Sequence, residues 1–460
     1  AGATAEGELA KRTLKLQREI DTHGWIACDT HVHTVTHSGH GDASIEERMV
    51  TLAAEGVELP IATDHNKQID YRPVARELGV EAYFTPVIGN EVTTKFGHFN
   101  AFPFQVDSPT PDHRVEDWKV LIPSIFASPD VQVVILNHGR ETHSGYRPFG
   151  PKNFNAASGE NLDGRPYLFN AMETLNSGAQ QTDPLELFRD WMTLLNRGHT
   201  VTPIGSSDSH DVNRYIVGQG RTYFRSDDVD AGDIDIAEAC RRIRDGNVIV
   251  SAGMFVDATV DGKSGPGEIA SVASSKFSVD FRIDAPSWIT PERVPLYQNG
   301  TAVRDQRVSD DETRSGTWDI PKPSHDVFLT VLATGPGTRH PSWPIAQPYQ
   351  PDSPEWNATN FSFTGAIRVD ADGDGRFTSA VDYARELVSN AKGDFPRLLE
   401  SLTDYDQAVV VQAASLWQEK YGSLLDETRQ RQLGEASPEI QKGFFRYLSA
   451  WRESQRAQID

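Results

Sequence analysis

Four of the chain's 14 histidines, His31, His33, His37 and His40, fall in one short segment, DTHVHTVTHSGH. Imidazole is an uncommon core filler and a common metal ligand. His31 and His33 are two apart at the end of the apolar run GWIAC, so on a strand both would face one side and could share a metal ion. Neutral imidazole suits Zn, Mn or Fe, and carboxylates add hard-donor character. One His-x-His pair is weak evidence by itself, because a polar strand end produces the same pattern. Further donors, however, follow other apolar runs: Asp64 and His65 in TDHN, Glu91 and His98 in GNEVTTKFGHF, His138 in LNHG, and Asp208 and His210 in GSSDSH. About nine donors of metal-ligand type at successive strand ends are poorly explained as structural accident.

Such donors need a scaffold that gathers strand ends. SIEERMVTLAAEGV reads as a helix with Ser44 as N-cap and Gly56 as terminator. Apolar strands alternate with helical stretches such as DPLELFRDWMTLLNRG, which predicts a parallel α/β sheet, doubly wound or closed into a barrel. In barrels of this class the active site lies at the carboxyl ends of the strands, where these donors fall. Beyond Gly246 the pattern changes to short alternating strands separated by Gly, Pro and Asn-Gly turns, the signature of a β-sandwich. The expected organisation is an N-terminal extension (1–24, helix or strand), the donor-bearing region (25–245), the sandwich (246–345), a linker (346–382) and a helical segment (383–460). The apolar faces of those last helices are expected to pack on one another or on the neighbouring domain.

Formal net charge is −22, which argues against a polymeric nucleic acid partner, since that needs a basic surface. Mean hydropathy is −0.48 and no apolar run is long enough to span a bilayer. Cys28 and Cys240 are the only cysteines and make no disulfide framework; Cys28 is expected as a buried thiol. A second metal signal is VDADGDGRFTSAVD, where Asp370, Asp372 and Asp374 precede Gly375 as in an EF-hand-type Ca²⁺ loop. Val381 stands where that loop carries its bidentate Glu, so a structural Ca²⁺ and a solvated acidic turn are both open. The first residue is Ala, as in a trimmed chain or one matured by signal removal. With a Ca²⁺ loop that favours an extracytoplasmic location, periplasmic or secreted, over a cytoplasmic one.

The motifs DTHVHT, TDHN, GNEVTT…GHF, NHG and GSSDSH, in this order between residues 25 and 225, resemble the PHP (polymerase and histidinol phosphatase) superfamily of metal-dependent hydrolases. GWIACDTHVHTVTHSGHGDASIEERMVTLAAEGVELPIATDHN, GSSDSHDVNRYIVGQGRTY and GNVIVSAGMFVDATVDG are similar to its carbaryl-hydrolase-like (CehA/McbA-type) branch. The resemblance implies a distorted (β/α)7 barrel with a di- or trinuclear centre of divalent transition metals. It places one metal on His31, His33, Glu91 and Asp208, a second on Glu91, His98 and His138, and a third on His65, His210 and a loop residue. That residue could be His37, His40 or Asp42, with His40 favoured, because HTVTHSGHGD departs here from the family's usual HT..SDG. Asp64 is expected as a proton acceptor or as support for a ligand. The implied chemistry is hydrolysis of a small-molecule ester, a phosphoester first and a carbamate or carboxylic ester second. An inactive PHP-fold binding protein is the third reading, against which the full set of donors speaks. Arg140, Arg214 and Arg221 follow donor strands and are candidates either to hold a substrate oxyanion or to form structural ion pairs. Glu173 is a candidate to orient a ligand or the substrate, and His143 is expected at the surface or supporting the ligands.

Overall fold

In the computed structural model of the protein, residues 19–141, 145–227, 230–341, 343–349, 351 and 353–459 are described. His143 and residues 1–18 of the expected extension lie outside them. The apolar runs read above form strands: β1 (Trp25–Val32), β2 (Leu59–Ala62), β3 (Val87–Ile88), β4 (Asn90–Thr94), β5 (Gly97–Phe102), β6 (Val133–Leu136), β7 (Ala171–Asn176), β8 (Thr202–Ser206), β9 (Arg221–Arg225) and β10 (Val248–Ala252). β1, β2, β6, β7, β8 and β10 are buried at every position, as expected of strands covered on both faces.

These strands divide into two groups. β3, β2 and β1 are parallel neighbours, continued by β9 and β10 in antiparallel pairing. β4 and β5 form a hairpin, and β6, β7 and β8 continue that second sheet, the last three in parallel. Ile26, Ile61, Ile135, Ile204 and Phe224 belong to one buried cluster shared by both groups. The sheets touch at two isolated parallel bridges, Val32 with Ser209 and His65 with Glu91. Both bridges contain or adjoin the donor residues. Among the described residues no closed ring of paired strands forms.

Local sequence sets the helices α1 (Val35–Ser38), α2 (Ile45–Glu55), α3 (Arg72–Glu77), α4 (Trp118–Phe126), α5 (Glu186–Asn196) and α6 (Ile236–Asp245). α2 starts in a capping box: Ser44 Oγ accepts from Glu47 N while the Glu47 carboxylate accepts from Ser44 N. It stops at Gly56, whose φ of 64° suits glycine. α5 buries Phe188, Trp191 and Leu194 against the second sheet.

The second half adds β11 (Phe255–Val260), β12 (Ile269–Ser271), β13 (Lys276–Asp284), β14 (Arg293–Gln298), β15 (Thr301–Arg307), β16 (Ser315–Pro321), β17 (Val327–Pro336), β18 (Thr359–Thr364) and β19 (Ile367–Asp370). β11, β13 and β16 form a three-stranded antiparallel sheet. Its alternate residues Val256, Val279 and Phe281 share a core with Leu296 and Val331. β18 pairs with β10 on one side and β17 on the other, so one eleven-stranded sheet runs from β3 to β12. Residues 346–382, expected as a linker, therefore carry two strands of that sheet. Phe361 and Phe363 are fully buried, yet the short run lies among Pro, Ser and Asn, which hid it.

α7 (Ala380–Ala391), α8 (Phe395–Ser401), α9 (Gln407–Tyr421), α10 (Glu427–Gly434) and α11 (Pro438–Ile459) pack around Leu398, Val409, Trp417 and Phe444. This helical layer is docked by polar contacts: Arg197 donates to Gln412 Oε1 (3.0 Å) and Ser415 Oγ (2.9 Å), and Gln412 Nε2 donates to Ser158 O (2.8 Å). The protein is thus mixed α/β, with three sheets and eleven α-helices among the described residues. None of those helices is long and apolar enough to cross a membrane. Both cysteines are buried and free.

Candidate metal centre

β1 delivers His31 and His33 to the point where the two sheets meet, and both are fully buried. The ladder of β1 slips between Asp29 and Val32, and that of β7 between Glu173 and Leu175. Such irregularities beside a site redirect side chains that regular pleating would aim elsewhere. His138 and Asp208, just past β6 and β8, have φ of 27° and 52°, a costly conformation for residues with a Cβ. Strain at two donor positions of one site is the kind of cost a fold retains for function.

Glu91 sits at the middle. His98 Nδ1 is 3.0 Å and His138 Nε2 3.6 Å from its Oε1, and His65 Nδ1 is 2.5 Å from its Oε2. His31 Nε2 and His33 Nε2 each lie 3.5 Å from Glu91 and 3.2 Å from Asp208 Oδ1. Three sets of donor atoms, each mutually within 4.8 Å, result: His31, His33 and Asp208; Glu91, His98 and His138; and His33, His65 and His210. The structure therefore brings together eight of the nine ligands expected from the sequence in these sets, and His40 adjoins the third.

The loop over the third set is held by backbone contacts. The amides of Asp42 and Ala43 both point to His210 O at 3.2 Å. Gly41, at φ 86°, passes so close that a Cβ there would lie 2.3 Å from that oxygen. The exposed His40 ring then stacks against His210 (4.3 Å) and His65 (5.0 Å). Asp42 is turned away, accepting from Val212 N at 2.7 Å, and the His37 carbonyl accepts from Lys67 at 2.5 Å.

Ring orientation is set by partners that the sequence reading named only in part. Glu173 Oε1 accepts from His31 Nδ1 (2.7 Å), which leaves His31 Nε2 as a lone pair facing inward. Ser38 Oγ donates to Asp64 Oδ1 (2.7 Å), so it accepts from His33 Nδ1 (3.0 Å) and leaves His33 Nε2 equally free. His210 Nδ1 bonds to Asp208 O (3.0 Å), turning its Nε2 toward His65 Nε2 at 3.4 Å. Asn137 donates to Glu91 (3.1 Å) and Asn176 to Asp208 (3.2 Å). Asp29, buried between β1 and the loop after β8, accepts from the amides of His31, Ser207 and Gly218. Arg48 on α2 clamps His33 O and Ser209 O, both at 2.9 Å. Ser38, Asn137, Asn176, Asp29 and Arg48 were missed; four of them adjoin or lie within donor motifs, and only Arg48 carried no signal.

The fit to metal rests on what these atoms lack. His31 Nε2 and His33 Nε2 are buried, make no hydrogen bond, and both lie 3.2 Å from Asp208 Oδ1. Buried polar atoms left so cost free energy, about 1–3 kcal/mol each. A divalent cation supplies the missing partner for both at once, and the imidazole–carboxylate donor set suits Zn, Mn or Fe. Electrostatics agree in sign. Burial lowers the His31 pKa, but Asp208, Glu173 and Glu91 overcome it and hold it well above the usual value. His138 is likewise buried, and Glu91 and Asp208 push it up to about 9. Burial and the neighbouring His210 take His33 well down, and His210 falls to about 4 through burial beside His40 and His65. Glu91 and Asp208 resist burial because the surrounding histidines hold them well below the usual carboxylate range.

For the residues left with two readings, the structure shows the supporting contacts. Arg140 is no free oxyanion clamp: it is buried, with Nε and Nη2 on Asp190 (2.6 and 2.8 Å) and Nη1 on Glu186 (2.7 Å), both on α5. Arg214 lies over the Tyr215 ring at 4.6 Å, and Arg221 bonds backbone carbonyls of Gly218 and Glu55; neither contacts a donor residue. Asp64 is saturated by Thr34 N and Oγ1, Ser38 Oγ and Tyr71 OH, so it acts through Ser38 on His33 and faces no open space. In the acidic loop Asp370 and Asp372 meet Asp326, and Asp374 is outside that group. Asp326 and Asp370 already accept backbone N–H groups at 2.6–3.1 Å. No known protein family matches the chain, and no curated protein is significantly similar to it.

Proposed function

We propose that the protein is a metal-dependent hydrolase of the PHP type, acting on a small ester. In this reading the two donor-bearing sheets are the halves of a distorted barrel, and the β11–β13–β16 sheet with its facing strands is a sandwich behind it. The supporting observation is the convergence of the buried His31 Nε2 and His33 Nε2, neither with a hydrogen-bond partner, beside Asp208. His31, His33 and Asp208 would hold one divalent ion; Glu91, His98 and His138 a second; His65 and His210, with His33 or His40, a third. When bound, such ions lower the pKa of a water and stabilise charge growing on a substrate oxygen. The chain's own part is positional: Glu173 and Ser38 fix two imidazole tautomers, and Glu91 and Asp208 keep their negative charge at the centre.

A phosphoester is the first substrate class. The commitment of Arg140 to Asp190 and Glu186 favours a second reading, an uncharged carbamate or carboxylic ester, because that arginine is not free to bind a phosphate. A parallel assay of aryl phosphate mono- and diesters against 1-naphthyl carbamates and acetates separates them. His31→Ala should abolish whichever activity is found. Protein that takes up less than about one equivalent of Zn²⁺ or Mn²⁺ would leave only an inactive, PHP-like fold.

A further inference from the structure

We infer that the protein carries a second ligand site, for a small organic cation, at the far end of α2 from the histidine cluster. The amino-terminal half of α2 serves the cluster through Arg48, while its last residues, Ala53, Ala54 and Glu55, line a cavity of about 550 Å³. That volume is within the roughly 300–1,000 Å³ of small-molecule pockets. Seven residues of helix, about 10 Å, separate Arg48 from Glu55.

The walls specify the ligand's chemistry. Trp288, Trp343 and Tyr223 supply aromatic surface, and Trp288 is 55% exposed, so its face is open to a ligand. Gly253 makes the space: at φ 92° a Cβ there would come within 2.5 Å of Ile289 Cδ1 and 2.9 Å of Trp343 Cη2. Two carboxylates border the cavity. Glu55 Oε2 lies 3.4 Å from Trp343 Nε1, and Glu19 accepts from Ser287 N at 2.7 Å. The carboxyl end of α2 adds the negative pole of a helix. Among the described residues Arg221 is the one cation in the lining, and its N–H groups point at Gly218 O, Glu55 O and, at 3.9 Å, the Glu55 carboxylate. Thr22 Oγ1, on the same wall, is buried without a hydrogen-bond partner. Aromatic faces with carboxylates attract an alkylated ammonium through cation–π and ionic terms together. An anion would meet two carboxylates and the helix pole. A neutral hydrocarbon would leave Thr22 unsatisfied.

The test is calorimetric titration of the full chain with (2-hydroxyethyl)trimethylammonium and with its neutral isostere 3,3-dimethylbutan-1-ol. Saturable binding of the cation is expected, with the isostere about tenfold weaker or worse, the size of one desolvated cation–π contact. Trp288→Ala and Glu55→Gln should each weaken the cation about tenfold, with Tm and metal content unchanged. The inference is overturned if the isostere binds equally well, if both variants bind as the wild type does, or if no heat appears up to about 10 mM. Since the readout is binding at a separate cavity, it stands or fails independently of the hydrolase reading.

Discussion

Glu173 accepts from three groups that bracket the centre: His31 Nδ1, the amide of His138 at 2.6 Å, and Asn176 Nδ2 at 2.9 Å. Ser206 adds a fourth at 2.5 Å. A carboxylate so placed holds one ligand's tautomer and another ligand's strained backbone. Glu173→Gln keeps the size but loses charge and one acceptor, so metal affinity should fall about 10–100-fold in chelator competition, the usual cost of such a partner. An unchanged affinity in a folded variant would remove the orienting role. Arg140 calls for the opposite readout. Arg140→Ala strands the buried Asp190 and should cost about 3–5 kcal/mol in urea unfolding. If the variant instead keeps full stability but loses phosphate ester turnover, the arginine serves the substrate after all.

At the scale of elements, the loop between β19 and α7 is fastened to the start of β17. Asp326 Oδ1 accepts from Ala371 N and Oδ2 from Thr378 N, each at 2.8 Å. Asp326→Ala should therefore destabilise by about 1–3 kcal/mol, since two amides lose a partner. The same Tm loss should appear with chelator as with Ca²⁺. A loss confined to Ca²⁺-containing buffer would show that the acidic group works through an ion. The helix-level devices were readable in advance: Ser44 and Gly56 bound α2 as their types require. The contact between Asp326 and a loop more than forty residues later was not, because a hydrogen bond to a backbone amide needs no particular residue type at the amide.

Across the whole molecule, metal uptake and protonation are coupled. His138, pushed up to about 9, holds its proton at neutral pH in metal-free protein. A raised imidazole pKa stabilises the fold fully below the unfolded value of about 6.5, and that contribution fades as pH rises through 9. A ligand must be neutral, so loading at neutral pH should expel protons, and apparent affinity should fall on acidification. Calorimetric heats of loading should thus depend on the buffer's ionisation enthalpy. The Tm gap between loaded and metal-free protein should widen as pH rises from 6.5 to 9. Heats independent of buffer would contradict the protonated cluster.

Donor identity, strand-end position and helix caps were legible in the sequence because each is a local property. His31 and His33 follow an apolar run, and Glu91, His138 and Asp208 follow others, so the sequence alone determined what kind of atoms would gather. It did not determine which atoms would meet. The sharing of Glu91 among five imidazoles, the capture of Arg140 by α5 and the pairing of β10 with β18 depend on contacts between segments far apart in the chain. Only tertiary packing decides these, since burial makes a charge seek whichever partner the fold brings within reach.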